Sequence, residues 1–249
     1  MKKIIGALVI LVCTCLSAFA QKSGQKGDDS LLKCVCDTRN TQLLVKDGYV
    51  VLYSLKTHCP VYVGWKLTQD RVDGDTPRCK KFFPDPEIAE KDRVSPQDYA
   101  GSGWSRGHMC PAADNKDSWS RMEQSCLMTN ICPQDMSLNS GRWNDLENKC
   151  RSLVRNGNTI YIICGPVFSS KKMRRIGGNI DIAIPDAFYK VMLIVSKTGK
   201  MRMEAYLMPN TPIDAKLATF ATSVDNVEQT VGIDFFSTLD DKVEKDLEK

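Results

Sequence analysis

Histidine is nearly absent from this chain: His58 and His108 are the two in 249 residues. Any chemistry that needs an imidazole to take a proton near neutral pH therefore has two candidates. Long apolar runs are scarce as well. The run at residues 4–16 is too short to span a bilayer comfortably, and no other segment reaches transmembrane length, so stable membrane insertion is not expected. Internal repeats are missing, which excludes a solenoid or array. A strong net charge is missing too. The chain carries +4, or +2 once Lys2 and Lys3 are set aside. Bulk charge thus gives no argument for a nucleic-acid partner, and the cluster Lys171-Lys172-Met173-Arg174-Arg175 reads first as a solvated loop.

Residues 1–20 have the form of a secretory signal. Lys2 and Lys3 make a basic start, an apolar run follows, and Ala18-Phe19-Ala20 offers the small-x-small pattern read by a signal peptidase. The expected address is secreted or periplasmic. A lipid anchor on Cys13 or Cys15 is disfavoured because Val12 and Thr14, not a small residue, precede them. Removing residues 1–20 leaves 229 of 249, enough for one large domain with a real core. Hydrophobic residues at 42% and charged residues at 26% are those of an ordinary globular protein. Cysteine is plentiful: of 11, nine lie beyond residue 20 (Cys34, Cys36, Cys59, Cys79, Cys110, Cys126, Cys132, Cys150 and Cys164). In an oxidising compartment these would form disulfides, and an odd number leaves at least one free or joined to another molecule.

Residues 21–30 are polar and contain glycine, and residues 21–48 are taken as a flexible lead-in to a domain at 49–239. Residues 49–55 and 61–67 read as neighbouring strands, and residues 70–95 as a long surface excursion. Residues 159–164 form a buried strand ended by Gly165-Pro166. Residues 189–196 and 201–208 read as a hairpin closed at Lys197-Thr198-Gly199-Lys200. Trp143, Leu146, Cys150, Leu153 and Val154 recur at helical spacing after Gly141. Shorter helices are expected near 213–220 and 224–231, and the charged tail 240–249 is expected to fray. The class is α+β, a sheet-centred core with helices packed on it.

The chemistry concentrates between Gly103 and Arg151. His58, beside Cys59-Pro60 between two strands, has no polar partners nearby and reads as structural. His108 sits in Ser105-Arg106-Gly107-His108-Met109. An arginine offers a planar fork for phosphate oxygens, a glycine lets backbone approach a bulky ligand, and a histidine can accept a proton from water. Asn139 opens the helical region and Glu147 lies eight residues on. On one continuous helix that is about 12 Å of rise and roughly 80° of offset, so both can face one cleft. Amide and carboxylate oxygens suit a hard cation such as Mg2+. Taken singly, Asn139 also fits a helix N-cap and Glu147 a solvated face. A zinc site from His108, Cys110, Cys126 and Cys132 is a rival, but Cys126 and Cys132 are six apart, wider than most zinc pairs.

Together these segments resemble the DNA/RNA non-specific endonuclease family, the ββα-metal or His-Me finger nucleases. Arg106, Gly107 and His108 match its Asp-Arg-Gly-His motif. Asn139, Gly141, Trp143, Leu146 and Glu147 match its Asn-x-Gly-x-Trp-x-x-Leu-Glu run at the same spacing. Thr129-Asn130-Ile131, Gly165-Pro166-Val167-Phe168, Ile184-Pro185 through Lys190, and Gly232 through Phe236 extend the similarity outward. Pro77-Arg78 with Asp85-Pro86 resembles the region of a further active-site arginine. The resemblance implies a ββα-metal fold with a mostly antiparallel central sheet. It also implies an endonuclease that cuts DNA and RNA through backbone contacts to give 5′-phosphates. It casts His108 as general base, Asn139 as direct ligand of Mg2+ (or Mn2+ or another divalent cation), and Glu147 as the residue that orients water at the cation. Arg106 and Arg78 bind phosphate, and Asn130 shapes the site. Ser105 stands where the family has aspartate, which bears on rate and substrate preference more than on mechanism. A catalytically weak or inactive nuclease-fold binding protein is the alternative, and intact His108, Asn139 and Glu147 argue against it. On this reading a Cys110–Cys150 bridge would tie the His108 segment to the helix, with Cys126 and Cys132 as rival partners.

Overall fold

The apolar runs of the chain pair into one seven-stranded antiparallel sheet, seen in a computed structural model that describes residues 29–169 and 172–248. The expected signal at 1–20, the first part of the lead-in and Lys171 lie outside the described residues. In chain order the strands are β1 (Thr41–Val45), β2 (Val50–Ser54), β3 (Cys59–Leu67), β4 (Ser105–His108), β5 (Ile131–Gln134), β6 (Thr159–Val167), β7 (Arg175–Ile176), β8 (Ile182–Ala183), β9 (Ala187–Val195), β10 (Met201–Pro209) and β11 (Ala221–Thr222). The helices are α1 (Gln69–Asp73), α2 (Trp119–Ser125), α3 (Met136–Ser140), α4 (Arg142–Arg155), α5 (Val224–Val231) and α6 (Asp241–Leu247). The large sheet has the order β1-β2-β3-β6-β9-β10-β11; β4-β5 and β7-β8 form separate two-stranded ribbons.

Both faces of the sheet are covered, which is why its central strands are continuous apolar runs rather than alternating ones. The period of two still sorts the side chains. Ile160, Ile162 and Cys164 of β6, with Phe188, Met192 and Ile194 of β9, join one core with Trp65 and with Trp143, Leu146, Cys150 and Val154 of α4. Tyr161, Ile163, Tyr189, Val191 and Leu193 point the other way, into a second core with Phe235, Phe236 and the apolar side of α5. The ββα unit β4-β5-α3-α4 lies against the first face.

Several expectations are corrected. The lead-in is not a free arm up to residue 48. Asp29–Leu32 forms a 3-10 turn, Leu32 and Leu44 are buried, and β1 pairs with β2 from Thr41↔Ser54 to Val45↔Val50. The excursion at 70–95 begins with α1, whose Arg71 and Val72 are buried. Gly165-Pro166 does not end β6. Beyond Cys164 that strand has lost its β3 neighbour and pairs with β9 alone, so the missing proline N–H costs no ladder bond. The charged tail forms α6, and the Val224 N–H donates to the Glu248 carbonyl at 2.9 Å. No helix among the described residues is long and apolar enough to cross a membrane.

Candidate active site

The ribbon β4-β5 pairs Ser105↔Gln134, Arg106↔Pro133, Gly107↔Cys132 and His108↔Ile131. Gly107 is needed for a reason internal to the ribbon: a β-carbon there would collide with the buried Gln134 side chain. That replaces the reading of Gly107 as room for a ligand. His108 ends β4 and is fixed from behind by Asn130. The Asn130 Oδ1 accepts from the Cys110 N–H at 2.9 Å, its Nδ2 donates to the carbonyls of Cys110 (2.8 Å) and Ser125 (2.7 Å), and its carbonyl accepts from the Met109 N–H at 3.0 Å. Asn130, expected among the catalytic residues, is fully buried, and its amide is engaged in these bonds to the backbone of Cys110 and Ser125.

The long excursion forms one wall. Asp85 anchors it, paired with Lys46 at 2.7 Å and accepting from the Thr129 hydroxyl at 2.6 Å, while Phe83 and Leu127 form a bridge. This lays Phe82 beside His108, ring centroids 5.2 Å apart, and the exposed Arg106 guanidinium stacks on the same Phe82 ring at 4.9 Å. Arg78 is exposed yet near enough to act on both His108 and Glu147. Burial, with the Arg78 charge, lowers the His108 pKa to about 3. The imidazole is therefore neutral at working pH, the state a general base requires.

Asn139 does not share a helix with Glu147. Gly141, at φ −102° and ψ −111°, separates α3 from α4, and a β-carbon on it would lie 2.5 Å from the Ser137 carbonyl oxygen. The continuous-helix offset thus does not apply; the two residues are presented by consecutive helices. Asp135, not Asn139, caps α3, its carboxylate accepting from the N–H groups of Ser137 and Leu138. The Asn139 side chain makes no hydrogen bond among the described residues.

Glu147 rests on a buried charge network that the sequence did not reveal. Arg151 lies 3.0 Å from Asp114 and 3.7 Å from Glu147, and the Trp65 indole N–H donates to Asp114 at 3.1 Å. Lys190 is fully buried on β9, its Nζ without a hydrogen-bond partner, 4.5 Å from the Trp143 ring and 5.0 Å from that of Trp65. Burial opposes its charge, but Cys164, Glu147, Cys150 and Asp114 around it hold its pKa above the ordinary lysine value. Burial pushes the Glu147 carboxyl up to about 7; Asp114 adds to this while Lys190, Arg151 and Arg78 oppose it. The one available signal for Lys190 was a charged residue at an inward position of the run Ala187-Phe188-Tyr189-Lys190-Val191-Met192. Phe82 carried none.

An uncommitted amide oxygen on Asn139 and a half-buried carboxylate at Glu147 suit a hard divalent cation. The zinc rival does not assemble: Cys110 accepts from the Asn115 amide at 3.4 Å, Cys132 faces Cys59, and the four residues form no ligand cluster among the described residues. All nine described cysteines are thiols. The expected Cys110–Cys150 bridge is not formed, since Cys150 Sγ lies instead against Met192 Sδ at 3.2 Å.

The neutral His108 couples to stability. Its folded pKa lies below the ordinary unfolded value of about 6.5, so on acidification the unfolded chain gains a proton that the folded site refuses. Stability should therefore fall as pH drops from about 6.5 towards 3, by up to roughly 1.4 kcal/mol per pH unit. Urea unfolding in chelator between pH 7 and pH 4 should show a shallower decline for His108→Asn; equal slopes would contradict a neutral, half-buried imidazole.

Residues 28–242 match the model of the DNA/RNA non-specific endonuclease family. The chain is 32% identical over 207 residues to human mitochondrial endonuclease G, covering 78% of this chain and 69% of that protein. It is 33% identical over 212 residues to Nuclease C1 of Cunninghamella echinulata var. echinulata, covering 79% of this chain and 83% of the relative. Against the mitochondrial nuclease EXOG of Xenopus laevis it is 33% identical, covering 78% of this chain and 58% of the relative. A solved structure of endonuclease G in complex with its inhibitor superposes with a TM-score of 0.75 at 29% identity, over 80% of this chain and 87% of the other.

Proposed function

Because the chain belongs to the DNA/RNA non-specific endonuclease family, and is thus a metal-dependent phosphodiester hydrolase, we propose that it is an exported Mg2+-dependent endonuclease that cuts both DNA and RNA to 5′-phosphate ends. The observation that carries this reading is the joint presentation, on one ββα unit, of a neutral imidazole, an uncommitted amide and the exposed Arg106 guanidinium, with the exposed Arg78 guanidinium on the facing wall. His108 takes the proton from the attacking water. Arg106, steadied on Phe82, and Arg78 from the facing wall bind phosphate oxygens. Asn139 would hold the cation directly, with Glu147 beside it accepting hydrogen bonds from water, and Lys190 and Arg151 favouring the Glu147 carboxylate. The bound cation supplies Lewis-acid neutralisation of charge on the phosphate and on the leaving 3′ oxygen. Mn2+ or another divalent cation fits the same donors.

Contacts of this kind read backbone rather than base, so DNA and RNA duplexes of one sequence should both be cut with weak sequence preference. Rates should fall as salt rises, because counterion release helps drive binding. Gel assays on matched DNA and RNA duplexes between 50 and 200 mM salt check this. RNA left intact at high enzyme concentration, or cleavage confined to one base sequence, would contradict it.

Export is proposed from the character of residues 1–20, in contrast to the mitochondrial address carried in the names of the animal relatives. In an oxidising compartment the facing thiols of Cys59 with Cys132 and of Cys79 with Cys126 would pass two electrons per pair to a thiol oxidant and bridge. Peptide mapping without reduction should join those pairs in the exported protein; a full set of nine alkylatable thiols would refute the framework.

A further inference from the structure

We propose that the chain carries a second, structural divalent-cation site, suited to Ca2+, that clasps α5 to α6 on the face of the sheet opposite the nuclease site. Carboxylate oxygens of Asp225, Glu228 and Glu248 all lie within 4.8 Å of one another. Oxygens that share one Ca2+ at about 2.3–2.6 Å can stand no more than roughly 5 Å apart, so this spacing is that of a common ligand shell. Asp225 and Glu228 are three residues apart on α5 and share one side of it. Glu248 arrives at the end of α6, where its backbone carbonyl accepts from the Val224 N–H at 2.9 Å.

The independent sign of a missing cation is Glu248 itself. It is 8% exposed, and its Oε1 is buried with no hydrogen-bond partner among the described residues. A carboxylate oxygen so placed carries the full cost of desolvation unless something positive meets it. Among the described residues, the charged groups that act most strongly on Glu248 are Glu228, Glu244, Asp225 and Asp234, every one a carboxylate, and the buried Oε1 of Glu244 is likewise without a hydrogen-bond partner there. Glu228 spends one oxygen on the Phe235 N–H at 2.8 Å and keeps the other. Three carboxylates with two more alongside favour Ca2+, which accepts six to eight oxygens in flexible geometry, over Mg2+, which demands an octahedron and keeps its waters.

The site is tested in full-length Asn139→Ala protein, so that the proposed nuclease-site ligand is already gone. Titration calorimetry should show one equivalent of Ca2+ bound, and a hundredfold excess over Kd should raise Tm by roughly 5–10 °C relative to chelator. Adding Glu228→Gln and Glu248→Gln should abolish both effects while raising Tm in chelator, because repulsion is relieved; that gain shows the variant to be folded. The same two substitutions in the otherwise native chain should leave Mg2+-supported nicking unchanged. Absence of Ca2+ binding by the Asn139→Ala protein, or binding that survives the added substitutions, would overturn the site whether or not the nuclease reading stands.

Discussion

His108→Ala protein is expected to cleave nucleic acid roughly 10²–10⁴-fold more slowly than the native chain while still folding and binding it. The imidazole is the one side chain of the ββα unit that is both neutral at working pH and placed beside the phosphate-binding arginines. His58, the other histidine, sits in a left-handed turn at φ 52° with its Nδ1 2.8 Å from the Asp181 carbonyl oxygen, between β2 and β3, and takes no part. The loss should appear in kcat, since Arg78, Arg106 and the cation donors remain. Single-turnover nicking at saturating enzyme, with binding measured in parallel by filter retention, separates the two. Near-native nicking by His108→Ala would remove the proposed base from the mechanism.

Asn139→Ala should lose at least as much, and excess Mg2+ should restore little of it. Substitutions that merely support a metal ligand commonly cost 10–100-fold in affinity or activity, so deleting the direct donor should exceed that, at about 10²-fold or more. The neighbouring substitution Asp135→Ala provides the control. It removes the α3 cap, worth about 1 kcal/mol, without touching the donor, and should lower stability more than turnover. Titration of each variant with Mg2+ reads the difference. A rightward shift fully rescued by concentration would mean that Asn139 tunes affinity without being the principal ligand.

Much of this site was legible because its residues sit in local sequence. His108 stood out as the one imidazole in a polar, arginine-flanked segment, and Trp143, Leu146, Cys150 and Val154 announced α4 by period alone. What was illegible depended on non-local packing. The spacing from Asn139 to Glu147 is the same whether one helix or two span it, and only the close approach of Gly141 to the Ser137 carbonyl separates α3 from α4. Lys190 lies far along the chain from the carboxylates it balances; its role exists because β9 places it inward between Trp65 and Trp143. β1 was absorbed into the lead-in because its order comes from pairing with β2. The charged tail was expected to fray because its composition says nothing of Leu247, which packs on the second core.

Metal dependence is the claim on which the account rests. The decisive measurement is plasmid nicking by native protein after exhaustive chelation, with residual metal verified by elemental analysis, followed by stepwise return of Mg2+. Nicking should stop on chelation and recover with the cation. Undiminished nicking by verified metal-free protein would contradict the account.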